Sequence, residues 1–158
     1  MSPKALEDYL HQHIPLSAAM EVGVAEASGE RVILNAPLAP NINHRATVFG
    51  GSASAVAILA AWSLVFMRLR ERGLPGRVII HGNSMRYDKP ISAGFLARAT
   101  APEPAAWDKL ERALRRGRMG RLRLAVALEC EGEAVGGLDG EFVVLPGEEA
   151  PRTESVPQ

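Results

Sequence analysis

The residues best able to do chemistry in this chain lie in one short stretch, NINHRATVFGGSASAVAILAAWSLV, residues 41–65. Asn41, Asn43 and His44 come just before the pair Gly50-Gly51, and a long apolar run follows at once. Glycines at a helix start let a ligand approach the backbone, and the first amides of a helix have no partner inside it. Those amides also carry the positive end of the helix dipole. Aimed at a carbonyl oxygen that gains charge during a reaction, they form an oxyanion hole. The expected donors are the N–H groups of Phe49, Gly50 and Gly51. The amide of Asn43 beside them can donate to a carbonyl or hold a water without changing charge. A plainer reading stays open: Gly50-Gly51 for tight packing, and the asparagines for an Asx-type turn.

Other candidates are weaker. Ser52 and Ser54 offer hydroxyls early on the apolar segment, with no base in view. His81 and Asn83 share one face of an expected strand by two-residue alternation, so either could reach a pocket. His11 and His13 stand at i, i+2, which do not face each other on a helix, and no further ligand set accompanies them, so no metal is expected. From Lys109 to Arg123 there are seven cations and one acid, Glu111. Arg115, Arg116 and Arg118 form the centre of that basic ridge, which suits an anionic partner or simply a solvated face.

Several elements must position these groups. Residues 3–13 suit an amphipathic helix with Leu6 and Leu10 on one face, ended by Pro15. Residues 19–28 and 31–36 read as two strands joined by a turn at Gly29-Glu30. The segment 52–71 is apolar on nearly all sides and predicts a helix buried all round, capped by Ser52 and stopped by Gly73 and Pro75. Residues 77–87 and 93–101 are β-like. Residues 104–116 form an amphipathic helix, with Trp107, Leu110 and Leu114 on one face. Residues 120–130 and 133–145 give two more strands, and the tail over 147–158 is expected to be disordered. This order predicts one α+β domain over 1–146, in which a mostly antiparallel sheet wraps a long apolar helix.

The totals narrow the function. At 158 residues with zero formal net charge, the chain has nothing in its total charge that favours nucleic acid. The one cysteine, Cys130, can form no internal disulfide, which fits a reducing compartment. The run Ala53–Met67 is short for a membrane span, and no signal-like stretch opens the chain. A cytoplasmic protein without membrane association is expected.

The pattern Asn43-x-x-Ala46-Thr47-x-Phe49-Gly50-Gly51 before a buried helix resembles the hotdog-fold thioesterase signature. The run Tyr87-Asp88-Lys89-Pro90-Ile91 is similar to that family's aromatic-x-x-Pro-aliphatic turn. More narrowly, the motif followed by Trp62 resembles the YiiD C-terminal-type thioesterase family, some relatives of which are malonyl-acyl-carrier-protein decarboxylases. The resemblance spans about residues 5–146. It implies a hotdog fold that dimerises through its sheet, as a homodimer or a dimer of dimers. Sites would lie where the helix start of one subunit meets a strand of the other.

The resemblance further implies a thioester substrate on acyl carrier protein or coenzyme A, with no cofactor. Asn43, Gly50 and Gly51 would be catalytic; Asn41, His44, Thr47, Phe49, Ser52 and Asn83 would line the substrate. Arg115, Arg116 and Arg118 would dock an acidic carrier beside the pocket. Two departures matter. Phe49 replaces the family's usual histidine before Gly-Gly, and Ile58 stands where many relatives carry a helix carboxylate. An acid-free site suits decarboxylation of a malonyl thioester better than hydrolysis, because no water needs activation. The alternatives are a non-catalytic acyl-thioester-binding module and a nucleic-acid-binding dimer using the basic ridge, the latter without the aromatic interleaving such surfaces use.

Overall fold

The computed structural model describes residues 1–147. Apart from Gly147, the tail expected to be disordered lies outside the described residues. Four α-helices and six strands follow one another in chain order. They are α1 (Pro3–His13), α2 (Pro15–Ala19), β1 (Gly23–Ala27), β2 (Arg31–Ala36), α3 (Gly50–Glu71), β3 (Gly76–Tyr87), β4 (Phe95–Thr100), α4 (Pro104–Arg115), β5 (Gly120–Cys130) and β6 (Glu133–Pro146). The strands form one antiparallel sheet in the order β1-β2-β4-β5-β6-β3. The sheet wraps α3, which is the α+β hotdog arrangement.

Alternation in the strands decides which face meets the helix. Along β5, Leu122, Leu124, Val126, Leu128 and Cys130 are buried, while Arg121, Arg123, Ala125 and Ala127 are exposed. The inward set packs with Val56, Ala57, Ala60, Leu64 and Met67 of α3 in one core. Small residues on the helix let the sheet come close without voids. Trp62 ties the helix to β3 by donating Nε1–H to the Val78 carbonyl at 3.1 Å. It also stacks on Phe66, which stacks in turn on Tyr9 of α1.

Four expectations need correction. The strand expected from residue 19 begins at Gly23, because Pro15 opens a second short helix as well as ending the first. Helix α3 starts at Gly50, and its N-cap is Phe49, which makes no side-chain cap bond, so Ser52 lies inside the first turn. The helix is not buried all round. Gly51 is exposed, and Ser54, Ala55, Ile58 and Trp62 are half-buried in a stripe at helical spacing. At 22 residues α3 is also long and apolar enough to cross a membrane by length and composition, and two thirds of an 18-residue apolar window within it is buried inside the fold.

The half-covered stripe of α3 runs beside β3, one of the two edge strands of the sheet. β3 is 12 residues long and exposed along most of its length, and one of its edges has no neighbour. Long bare edges of this kind pair readily with another strand.

Candidate functional site at the start of the central helix

The start of α3 leaves backbone donors free. Ala53 N–H donates to the Phe49 carbonyl at 3.1 Å and closes the first turn, and Phe49 N–H donates to the Asn41 carbonyl at 2.7 Å. Among the described residues, the N–H groups of Gly50, Gly51 and Ser52 have no acceptor. No side chain caps them, and no acid lies in the first turn. The positive end of the dipole is therefore open to an incoming anion or carbonyl oxygen. Of the three expected amide donors, Gly50 and Gly51 remain available and Phe49 does not, because the loop uses its N–H for its own folding.

The loop 41–49 is held by its own asparagines. The Asn41 side chain is 2% exposed, and its Nδ2 donates to the carbonyls of Pro37 at 2.8 Å and Met20 at 3.0 Å. It anchors the loop to the chain entering β1 and does not face the site. Asn43 Oδ1 accepts from the N–H of Arg45 at 2.8 Å and of Thr47 at 3.3 Å. Its Nδ2 reaches Thr47 Oγ1 at 3.0 Å and the Val48 carbonyl at 3.3 Å. The Asx turn weighed as the plainer reading is thus present, and the Asn43 amide is committed to the loop. Ala46 takes a positive φ of 59° within this turn, and Ile42 bridges Val48 across it. Val48 N–H then donates to the Ile91 carbonyl at 2.8 Å, which sets where Phe49 and Gly50 emerge.

Aromatic rings surround the free amides. Phe49 is 58% exposed and Tyr87 56% exposed, with Ile42 close to half-exposed on the same loop. The Phe49 ring lies over Gly51, where any added Cβ would run into it. Tyr87 donates its hydroxyl to the Gly50 carbonyl at 3.1 Å, and a Cβ added at Gly50 would meet its ring at ordinary contact distance. A depression of about 340 Å³ opens between the loop, the helix start and the turn after β3; Thr47, Gly50, Ala53, Tyr87, Asp88 and Lys89 are among its lining residues. Lys89 is paired with Glu133 at 2.7 Å. That pair raises the Lys89 pKa and lowers the Glu133 carboxyl below its ordinary value, first through the shared hydrogen bond.

The remaining expected site residues scatter. His44 is exposed at the loop tip and Ser52 is half-buried one residue beyond Gly51. His81 and Asn83 do not share a face, because β3 carries a bulge between Ile80 and Gly82. Asn83 pairs with Gly140 on the helix side of the sheet, whereas His81 lies 4.0 Å from Glu141. An extra residue flips the alternation, which no spacing rule reveals. Arg115, Arg116 and Arg118 are exposed but are not beside this depression. Helix α4 packs against the far end of α3, where Glu111 stands 3.5 Å from both Arg68 and Arg72. Position 68 is about 27 Å from Gly50 at 1.5 Å per residue.

His11 Nε2 meets the Val22 carbonyl at 2.7 Å, and His13 stacks near Tyr9. Among the described residues, no three His, Cys, Asp or Glu side chains gather in a way that could hold a metal.

A larger depression, about 1100 Å³, lies elsewhere, on the outer face of the sheet over Ala125, Ala127 and Gly136. On its rim Arg98 pairs with Glu129, Arg86 with Asp139 and Arg123 with Glu141. It has no free helix amides, so size alone does not mark it as the reacting centre. Sequence reasoning missed Tyr87 as a partner of the helix start. The signal was present in the Tyr-x-x-Pro turn, but only folding shows that the turn meets Gly50.

Residues 3–146 match the family model described as "Putative thioesterase (yiiD_Cterm)". Solved structures share the fold over most of their length. A protein from Shewanella oneidensis, described as a "putative thioesterase", is 28% identical with a TM-score of 0.83, covering 91% of this chain and 97% of its own. A protein of unknown function from Chlorobaculum tepidum is 26% identical with a TM-score of 0.84, covering 92% and 98%. A thioesterase from Haemophilus influenzae shares the fold at 10% identity, with a TM-score of 0.72 and 92% of each chain covered. A hotdog sheet around α3, amides left open at Gly50-Gly51 and a family match over nearly the whole chain agree: the chain belongs to the yiiD_Cterm family of the hotdog thioesterase superfamily.

Proposed function

We propose that the chain acts on acyl thioesters carried by acyl carrier protein or coenzyme A, and that the substrate carbonyl lies at the start of α3. The single observation that carries this reading is the pair of unpartnered N–H groups at Gly50 and Gly51 in the first turn of α3, beside a depression that Gly50 and Tyr87 line. Two such donors at a developing oxyanion act without reorganising as charge appears. Asn43 serves as a positioning residue that shapes the loop, and Tyr87 as one that holds the first turn through the Gly50 carbonyl.

Decarboxylation of a malonyl thioester is the reaction these groups suit. The bond between the carboxylate carbon and the α-carbon breaks and carbon dioxide leaves. The electron pair moves through the α-carbon onto the thioester oxygen, where the Gly50 and Gly51 amides hold the enolate charge. A proton from solvent then reaches the α-carbon and gives the acetyl thioester. None of these steps needs a base, and the open stripe of α3, with Ile58 at its middle, carries no ionisable side chain. Hydrolysis is the second reading, favoured by Asp88, a carboxylate lining the same depression.

We infer also that β3 pairs with β3 of a second copy and covers the stripe of α3. Its bare 12-residue edge and the half-buried Ile58 and Trp62 support this. Light scattering should then give a dimer or a multiple of it, and a stable folded monomer at micromolar concentration would sink the idea.

Mass spectrometry of a malonyl carrier protein and a panel of acyl thioesters tests the chemistry. An acetyl thioester supports decarboxylation, and free acid plus free thiol supports hydrolysis. Bound but unchanged thioester makes the chain a binding module.

A further inference from the structure

The basic ridge is at the wrong end of α3 to serve the pocket of its own subunit. It sits on the last turn of α4 and the turn after it, held against Arg68 and Arg72 through Glu111. Arg68 also lies 5.2 Å from the Trp107 ring, which fixes α4 there. The free helix amides are about 27 Å away along the helix axis. Sheet register places the start of β3 at the same end as the ridge, since Arg77 pairs with Leu145 and Gly120 with Val144. The other end of β3 reaches Tyr87, against Gly50.

A second copy reverses this separation. A two-fold axis normal to the sheet keeps both central helices on one side and makes the two β3 strands antiparallel. The start of one β3 then lies beside the end of the other. With the two β3 strands paired over their full length, each ridge would come to the side of the helix start of the opposite subunit.

We propose that the ridge of one subunit docks an acidic carrier protein whose acyl arm enters the pocket of the other subunit. This rests on the dimer and the site at Gly50 proposed above. The charges fit a protein surface better than a single phosphate. Arg77, Arg112, Arg116 and Arg118 are exposed, and among the described residues none of them has an ion-pair partner. They spread over a strand start, a helix end and a turn, with no buried fork to grip one phosphate in the two-bond manner arginine favours. The net charge of the chain is zero, so this local excess is the feature an acidic partner would find.

Labelling within mixed dimers tests the proposal without relying on turnover. Two differently tagged chains are assembled. One carries Ser52→Cys, in the first turn of α3, and the pair Arg116→Glu and Arg118→Glu is placed on either the same chain or the other. The probe is a carrier protein bearing a bromoacetyl arm, with bromoacetyl-pantetheine as the small control. Dimers without Ser52→Cys report any background from the buried Cys130.

The expected result is about a tenfold slower carrier labelling at low salt when the reversed charges are on the other chain. Labelling should be normal when they share the chain with Ser52→Cys, and the small probe should react equally throughout. Slowing only when both changes share a chain would overturn the proposal, as would equal labelling in both arrangements. If pantetheine also fails to label, the pocket at Gly50 is itself wrong. If the chains do not pair, the dimer reading is wrong, and the proposal falls with either.

Discussion

The two ends of α3 are built in opposite ways. The last turn carries Arg68 and Arg70 and ends at Arg72. Gly73, at φ 60°, lets its N–H reach the Arg70 carbonyl at 3.1 Å, and Leu74 N–H reaches Leu69 at 2.9 Å. Those two bonds make a Schellman motif. Glu71 accepts from Gly29 N–H at 2.8 Å, and Arg68 meets both Glu30 and Glu111. The first turn has none of this: no capping side chain, no acid and three open amides. One end satisfies its backbone and holds the sheet, helix α4 and the β1–β2 turn together. The other forgoes about 1 kcal/mol of capping and leaves its donors open.

Breaking the first end should hit activity far more than stability. Gly50→Pro removes one free donor while keeping the helix, since proline is tolerated at the first helical position. Phe49 already has the extended backbone that proline demands of its neighbour, at φ −60° and ψ 130°. Turnover on the accepted thioester should fall by roughly a hundredfold to a thousandfold, as for loss of one oxyanion donor. The melting temperature should stay within a few degrees. Near-normal turnover would remove Gly50 from the site.

Asn43→Ala should affect both properties, because its amide shapes the loop. Loss of this set of bonds should cost about 1 to 3 kcal/mol of stability, with a smaller fall in turnover than for Gly50→Pro. Calorimetry and kinetics on the same preparation check the pairing. A large loss of turnover at unchanged stability would mean that Asn43 touches the substrate directly.

At the other end the order should reverse. Gly73→Ala forces a side chain into a left-handed backbone, costing about 1 to 2 kcal/mol and roughly 2–4 °C per kcal/mol in a chain of this size. Turnover per folded molecule should not change. If it does, the ends are coupled through α3.

The smallest effect serves as a baseline away from both ends. Arg98 holds the Glu129 carboxyl below its ordinary value, chiefly by hydrogen bonding at 2.9 Å and 3.1 Å. Its contribution is therefore present above the ordinary carboxylate pKa of 4.5 and is lost as pH falls through the lowered one. Glu129→Gln should cost less than about 1 kcal/mol near neutral pH and flatten the acid limb of a stability–pH curve. Urea melts from neutral pH down to pH 3 check the sign.

Most of the fold could be read from the chain. Strict alternation in 120–130 and heptad-like spacing in 104–116 each have one physical solution, so β5 and α4 fall almost where expected. Gly73 marked the end of α3 because a left-handed position follows from local sterics. Other features depended on partners distant in sequence. Asn41 and Asn43 carry the same side chain two residues apart; only the packed chain shows that one clamps Met20 and Pro37 while the other closes a turn on Thr47. The bulge at His81 depends on how β3 meets β6, and its own residues give no sign of it.

The sequence by itself determined the elements, their order and the glycine pair that opens α3, because periodicity and backbone freedom are local properties. Only the tertiary structure decided which amides stay free, that Tyr87 meets Gly50, and that Arg115, Arg116 and Arg118 sit at the far end of the helix. These are distances between elements, and they are set by how one sheet closes around a helix about 33 Å long.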